Sequence, residues 1–209
     1  MLVVLLLAPF IGLYPVFMMK ALCYAIFACA FNLLLGYTGL LSFGHAAFLG
    51  AAAYATGWLV RTAGWSPELG VLAGTAVAAA IGLGVGLLAI RRHGIYFAMI
   101  TLALAQMVYF VCLQAPFTGG EDGLQGVPRG NLFGIIPLAS DVTMYFVVLA
   151  VFVSVFALIV RIVHSPFGQV LKAIRENEPR AISRGYDVDR YKLLAFVLST
   201  AQAGLAGSL

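Results

Sequence analysis

Long apolar runs alternate with short polar breaks along this chain. The runs fall at Leu2–Tyr14, Pro15–Leu35, His45–Val60, Leu69–Ile90, Ile95–Ala115, Thr143–Val163 and Leu193–Leu209. Most approach or exceed the roughly 20 apolar residues that an α-helix needs to cross about 30 Å of hydrocarbon. They are rich in Ala, Leu and Gly and lack the short alternating segments of a membrane barrel, so they predict helices. The first run is short, and Pro9 and Pro15 blur its border with the second. The expectation is an all-α fold: a polytopic transmembrane helical bundle of about six or seven apolar segments, one domain over residues 1–209.

The longest polar interruption, Arg161–Lys192, has its own periodicity. Ser165-Pro166 reads as a helix start, an N-cap hydroxyl followed by proline at the first helical position. Phe167, Val170, Leu171 and Ile174 then recur at i, i+3, i+4 and i+7, while Gln169, Lys172, Arg175 and Glu176 take the opposite face. Pro179 restarts the chain into a short helical turn, Arg180–Arg184, and Gly185 suits the residue just past a helix end. Residues 164–190 are therefore expected as a two-helix loop outside the membrane.

Composition supports the membrane reading. The chain is 63% hydrophobic and 10% charged, against roughly 25% charged residues in a soluble domain. Seven of the twelve Lys and Arg residues and four of the eight acids lie between Arg161 and Lys192. Arg91 and Arg92 mark a second basic loop, separated from the first by two spans, so both loops belong on one side. Basic loops mark the cytoplasmic side; the loop Pro116–Val142, with Arg129 against Glu121, Asp122 and Asp141, is then external. No basic patch interleaved with aromatics suggests nucleic acid. Cys23, Cys29 and Cys112 sit inside apolar runs without CxxC spacing, so neither a metal site nor a redox motif is expected. The first residues lack a basic leader region and read as a retained membrane segment. The last run ends in A-G-L-A-G-S-L without a polar flank, and further spans are expected beyond it.

Three motifs carry the chemistry. In the first, Asn32–Tyr54, small and polar residues (Asn32, Gly36, Tyr37, Thr38, Gly39, Ser42, Gly44 and His45) interrupt an apolar stretch. They form either a broken helix lining a solute path or an ordinary cytoplasmic turn. His45 is an ionisable residue that marks either a functional position or a helix start near the interface. Ser42 and His45 lack the third orienting group that a nucleophile pair needs, and no catalytic residue is expected. The second motif, Thr118-Gly119-Gly120 through Gly123-Leu124, is a turn-rich loop. It follows a span in which Tyr96, Thr101 and Gln106 are candidates to face the bundle interior or to bond between helices. Gly82 and Gly86 form a GxxxG packing face. The third motif is the polar loop itself. Four interleaved acids weaken a lipid-only account of it, although basic residues near a bilayer surface also attract anionic lipid.

Taken in order, S-P-F-G-Q-V-L-K-A-I-R-E-N-E-P-R-A-I-S-R-G-Y, N-L-L-L-G-Y-T-G-L-L-S-F-G-H-A and T-G-G-E-D-G-L resemble the branched-chain amino acid ABC transporter permeases of the LivM type. The resemblance implies that Pro179, Arg180, Ala181, Ile182, Ser183, Arg184 and Gly185 dock on an ATP-binding subunit. It also implies that Thr118, Gly119, Gly120 and Gly123 lie near a solute-binding protein or an outer gate; the candidates for the solute path are Asn32, Gly36, Tyr37, Thr38, Gly39, Ser42, Gly44 and His45 with Tyr96, Thr101 and Gln106. The implied partners are ABC ATP-binding subunits, a second permease subunit of the LivH type, a periplasmic or extracellular solute-binding protein, and membrane lipid. The implied location is the bacterial inner membrane. No GxxxxGK[ST] loop occurs, so ATP hydrolysis is expected from another subunit and no cofactor is expected. Urea, amides and other amino acids remain alternative solutes. An ion-coupled carrier is the rival class, but it calls for acids or bases at mid-span, and none is seen there. A membrane-bound enzyme would need a clustered catalytic set.

Overall fold

The computed structural model describes residues 14–92, 94–115, 118–120, 123–124, 126–128, 130–132, 136–137 and 140–209. The expected run Leu2–Tyr14 therefore lies, except for Tyr14, outside the described residues. Among the described residues, eight α-helices follow in order: α1 Pro15–Asn32, α2 His45–Thr62, α3 Pro67–Ala89, α4 Ile95–Gln114, α5 Asp141–His164, α6 Pro166–Glu176, α7 Glu178–Ser183 and α8 Val188–Ser208. A π-helical turn, Leu33–Thr38, continues α1 without a break. The only strands among the described residues are Asn131–Leu132 (β1) and Ile136–Pro137 (β2), an antiparallel hairpin outside the helices.

Helix α8 is the axis of the bundle. It packs against α2 and α3 on one side and against α1 on the other, where α1 also pairs with α5. Small residues make the first contact close. Gly70, Gly74, Ala78, Gly82 and Gly86 recur every fourth position along α3, forming a single buried stripe. A Cβ on Gly82 would stand 2.0 Å from Thr200 Oγ1, and one on Gly204 would stand 2.2 Å from Ala78 Cβ. The GxxxG of Gly82 and Gly86 is thus a helix-packing face. On the other side Ile26, Leu33, Tyr145, Val148 and Ala206 form an apolar core shared by α1, α5 and α8.

Among the described residues, four helices are long and apolar enough to cross a membrane: α1 with its π-turn, α3, α4 and α5. Two further expected spans, His45–Val60 and Leu193–Leu209, are helical as α2 and α8 but fall outside that set. For α8 the reason is its polar residues, which lower its apolarity. Protein covers it, and it buries Ser199, Thr200, Gln202 and Ser208. It also begins five residues earlier than its apolar run, with Asp187 accepting from the Arg190 N–H as N-cap. Lipid-facing apolarity appears instead on α3 and α4, where Leu72, Leu88, Met99, Met107 and Val111 are exposed.

Candidate functional site

The polar loop folds as its periodicity predicts. Ser165 accepts the Gly168 N–H as the N-cap of α6, and Pro166 occupies the first turn. Leu171 and Ile174 are buried, and Ile174 meets Ala181 and Val188 in a small core that joins α6, α7 and α8. Phe167 stacks on Tyr191 with ring centroids 5.7 Å apart. Asn177 then caps α7 by accepting the Arg180 N–H at 3.1 Å. Gly185, at φ +87°, closes it: its N–H donates to Ile182, and the Tyr186 N–H donates to Ala181, the bond pair of a Schellman end. Lys192 is buried, and its Nζ lies 2.7 Å from Glu178 Oε1, tying α7 to the first turn of α8. Among the seven docking candidates only Ala181 faces inward; Pro179, Arg180, Ile182, Ser183, Arg184 and Gly185 are all exposed.

This knob sits against the first motif. Arg175 donates from Nη1 to the Gly36 carbonyl, and Lys172 Nζ lies 5.7 Å from the centroid of the Tyr37 ring. Gly39 ends the π-turn in the left-handed region at φ +75°, where side chains are strained. Beyond it the chain turns inward. A Cβ on Gly44 would stand 2.6 Å from the Thr101 carbonyl; Thr101 lies six residues past Ile95, roughly 9 Å along α4. His45 bonds Ser199, which lies eleven residues past Val188, roughly 16 Å along α8. The segment 39–44 therefore starts at the knob and ends well inside the bundle. Its polar groups are supplied from within the motif: Thr38 donates to the Leu33 carbonyl and Ser42 accepts the Gly44 N–H. The chain between the π-turn and α2 thus interrupts the helix and leads inward.

His45 opens α2 and is only 2% exposed. Phe27, Phe31, Phe48 and Phe196 surround it edge-on, with centroids 5.5 to 6.4 Å away. Its Nε2 lies 2.8 Å from Ser199 Oγ, and Ser199 donates its one proton to the Ala30 carbonyl at 2.6 Å. Ser199 can then only accept from His45, which fixes the Nε2–H tautomer. His45 thus locks the start of α2 to α8 and, through Ser199, to α1. Its partner is Ser199, not Ser42.

The other path candidates separate. Thr101 is buried and donates to the Ala98 carbonyl. Tyr96 is 69% exposed and faces away from the bundle interior, because it shares the outer face of α4 with Met99. Gln106 is also outside the core, on a groove of about 290 Å³ between α2 and α4. Phe43, Ala46, Ala47, Gly50, Tyr54 and Tyr109 line that groove with it. At its far end Thr118 is buried and donates back to the Ala115 carbonyl. Gly119 and Gly123 take positive φ, and Leu124 packs against Gly57 of α2. Gly120 lies in the same turn, also at positive φ; Glu121 and Asp122 are outside the described residues. The sequence reading missed Ser199, the phenylalanine cage, and the Lys192–Glu178 pair.

A family model described as "Branched-chain amino acid transport system / permease component" matches residues 16–209. The chain belongs to this family. Two relatives are the high-affinity branched-chain amino acid transport system permease proteins LivM of Escherichia coli (strain K12) and Salmonella typhimurium (strain LT2). Each is 30% identical to it, over 89% of this chain and 49% of the relative. The chain thus spans about half the length of these curated relatives. No solved structure matches it. The matched region of this permease-family chain runs from the start of α1 to the end of α8, and so contains both the knob and the His45 lock.

Proposed function

We propose that this chain is a permease subunit of an ABC-type importer for branched-chain amino acids in the bacterial inner membrane. The observation that carries the reading is the knob. It turns Pro179, Arg180, Ile182 and Arg184 outward while its other face grips the break that leads to His45. A surface built this way suits an ATP-binding subunit outside the membrane. The groove between α2 and α4 is apolar, with only Gln106 and tyrosine hydroxyls as polar groups, and suits a small apolar solute once a second permease subunit closes it. Thr118, Gly119, Gly120 and Gly123 follow α4 at the end away from the knob, on the side where a solute-binding protein would deliver. ATP and solute must bind the two access states with different affinity, and the chain supplies the element that changes.

The test is uptake into proteoliposomes holding the complex with its ATP-binding subunits and binding protein. ATP-dependent uptake of leucine, isoleucine and valine, with ATPase activity stimulated by the loaded binding protein, is expected across an amino-acid panel. Arg180→Glu or Gly185→Pro is expected to separate hydrolysis from uptake while the protein still inserts. Uptake that survives ATP depletion but collapses with an ionophore would sink the reading.

A further inference from the structure

Two glycines and the tyrosine of the first motif are all engaged by one strip of α6. Arg175 holds the Gly36 carbonyl, and its Cγ lies 3.2 Å from where a Cβ would stand on Gly39. Lys172, three residues earlier on the same face, caps the Tyr37 ring. Arg175 thus grips the π-turn in two ways. Its hydrogen bond, strengthened by charge, transmits a pull; its stem, seated on Gly39, transmits a push.

The grip lies between the packed knob and the π-turn. Behind it, α6 is fastened to α7 and α8 by Ile174, Ala181 and Val188 and by the Phe167–Tyr191 stack. Ahead of it is a π-turn, which winds one more residue per turn than an α-helix and recurs at functional sites. From there the chain leads on through the irregular segment 39–44 to the His45 lock. Resting on the permease reading above, we propose that Arg175, assisted by Lys172, is the positioning residue that passes displacement of the knob to the π-turn and so to the 39–44 break. A bare C-terminal cap on α1 would use the hydrogen bond but has no use for the seat on Gly39 or the cation over Tyr37.

The proposal is tested in the reconstituted complex by measuring solute taken up per ATP hydrolysed. Arg175→Gln is expected to keep ATP hydrolysis while lowering that ratio by at least about fivefold, the lower end of ordinary allosteric coupling. Arg175→Lys, which keeps a donor on a shorter reach, is expected to restore part of it, and Gln169→Ala, at an exposed position of α6 one turn before Lys172, to leave it unchanged. A second readout follows the break directly. With Cys23, Cys29 and Cys112 replaced by Ser, maleimide labelling of Phe43→Cys is expected to depend on ATP, and to lose that dependence when Arg175→Gln is added. Hydrolysis and uptake falling in proportion, or an unchanged ratio in Arg175→Gln, would overturn the proposal. Should that variant fail to assemble, Lys172→Gln decides: it is a surface change, and an unchanged ratio in it overturns the proposal as well. Absence of ATP-dependent uptake by the unaltered complex overturns instead the permease reading on which the proposal rests.

Discussion

Ser199 has one hydroxyl proton and spends it on the Ala30 carbonyl, so His45 can only be its donor. Removing the hydroxyl leaves the Nε2–H buried among four phenylalanine rings with no acceptor. Leaving such a group unpaired costs about 1–3 kcal/mol, whereas removing both partners in apolar form is nearly neutral. Ser199→Ala is therefore expected to destabilise the protein by about that amount, and His45→Phe with Ser199→Ala to recover much of it. Unfolding in mixed micelles, followed by circular dichroism, measures both; a double variant as unstable as the single one would contradict the lock. Lys192 follows similar logic. Its ammonium is almost fully buried, while Glu178 retains 28% of its exposure and can be hydrated. Glu178→Gln, which strands the buried lysine, is thus expected to destabilise the knob more than Lys192→Met, which leaves a glutamate that water can reach. Equal losses of α7 protection in hydrogen exchange would count against this.

At the level of elements, α3 shows how much one face decides. Gly82 and Gly84 lie two residues apart on opposite sides of the helix. A Cβ at Gly82 runs into Thr200, while one at Gly84 meets nothing within 4 Å. Gly82→Val is expected to push α3 off α8 at a cost of about 1–3 kcal/mol, and Gly84→Ala to leave stability unchanged; thermal denaturation in detergent separates them. The GxxxG spacing made this contact legible in the sequence, as the Ser165-Pro166 start, the i, i+3, i+4 apolar face and Gly185 did for α6 and α7. Each is a local pattern, with cause and effect within a turn or two. The π-turn was not legible, because Gly36, Tyr37 and Thr38 signal an interruption but not that the chain winds on through it as a π-turn. Nor was the bond between His45 and Ser199, 154 positions apart, which depends on how α2 and α8 meet. The inner place of α8 was hidden for a related reason: its Ser, Thr and Gln residues lower its apolarity, and only tertiary packing shows that protein, not lipid, covers them.

Across the whole molecule, the two basic loops meet. Arg91, at the end of α3, lines one shallow groove with Asp187, Asp189 and Arg190 at the start of α8. The Lys/Arg count and the fold thus put Arg91, Arg92 and the knob at the same end by separate arguments. The Gly36–Arg175 contact brings the end of α1 there too. The loop residues that pack on Gly57 and Tyr54 of α2 lie at the opposite end. If basic loops stay in the cytoplasm, one labelling pattern follows. In a background with Cys23, Cys29 and Cys112 replaced, Arg92→Cys and Ser183→Cys are expected to react with a membrane-impermeant maleimide only in inside-out vesicles. Val127→Cys, exposed in the opposite loop, is expected to react only in right-side-out ones. Opposite sidedness for Arg92→Cys and Ser183→Cys would break the fold argument, since one groove cannot open on both sides of a bilayer. A common sidedness with all three reversed would spare the fold and overturn only the charge argument, placing the knob where no ATP-binding subunit reaches it.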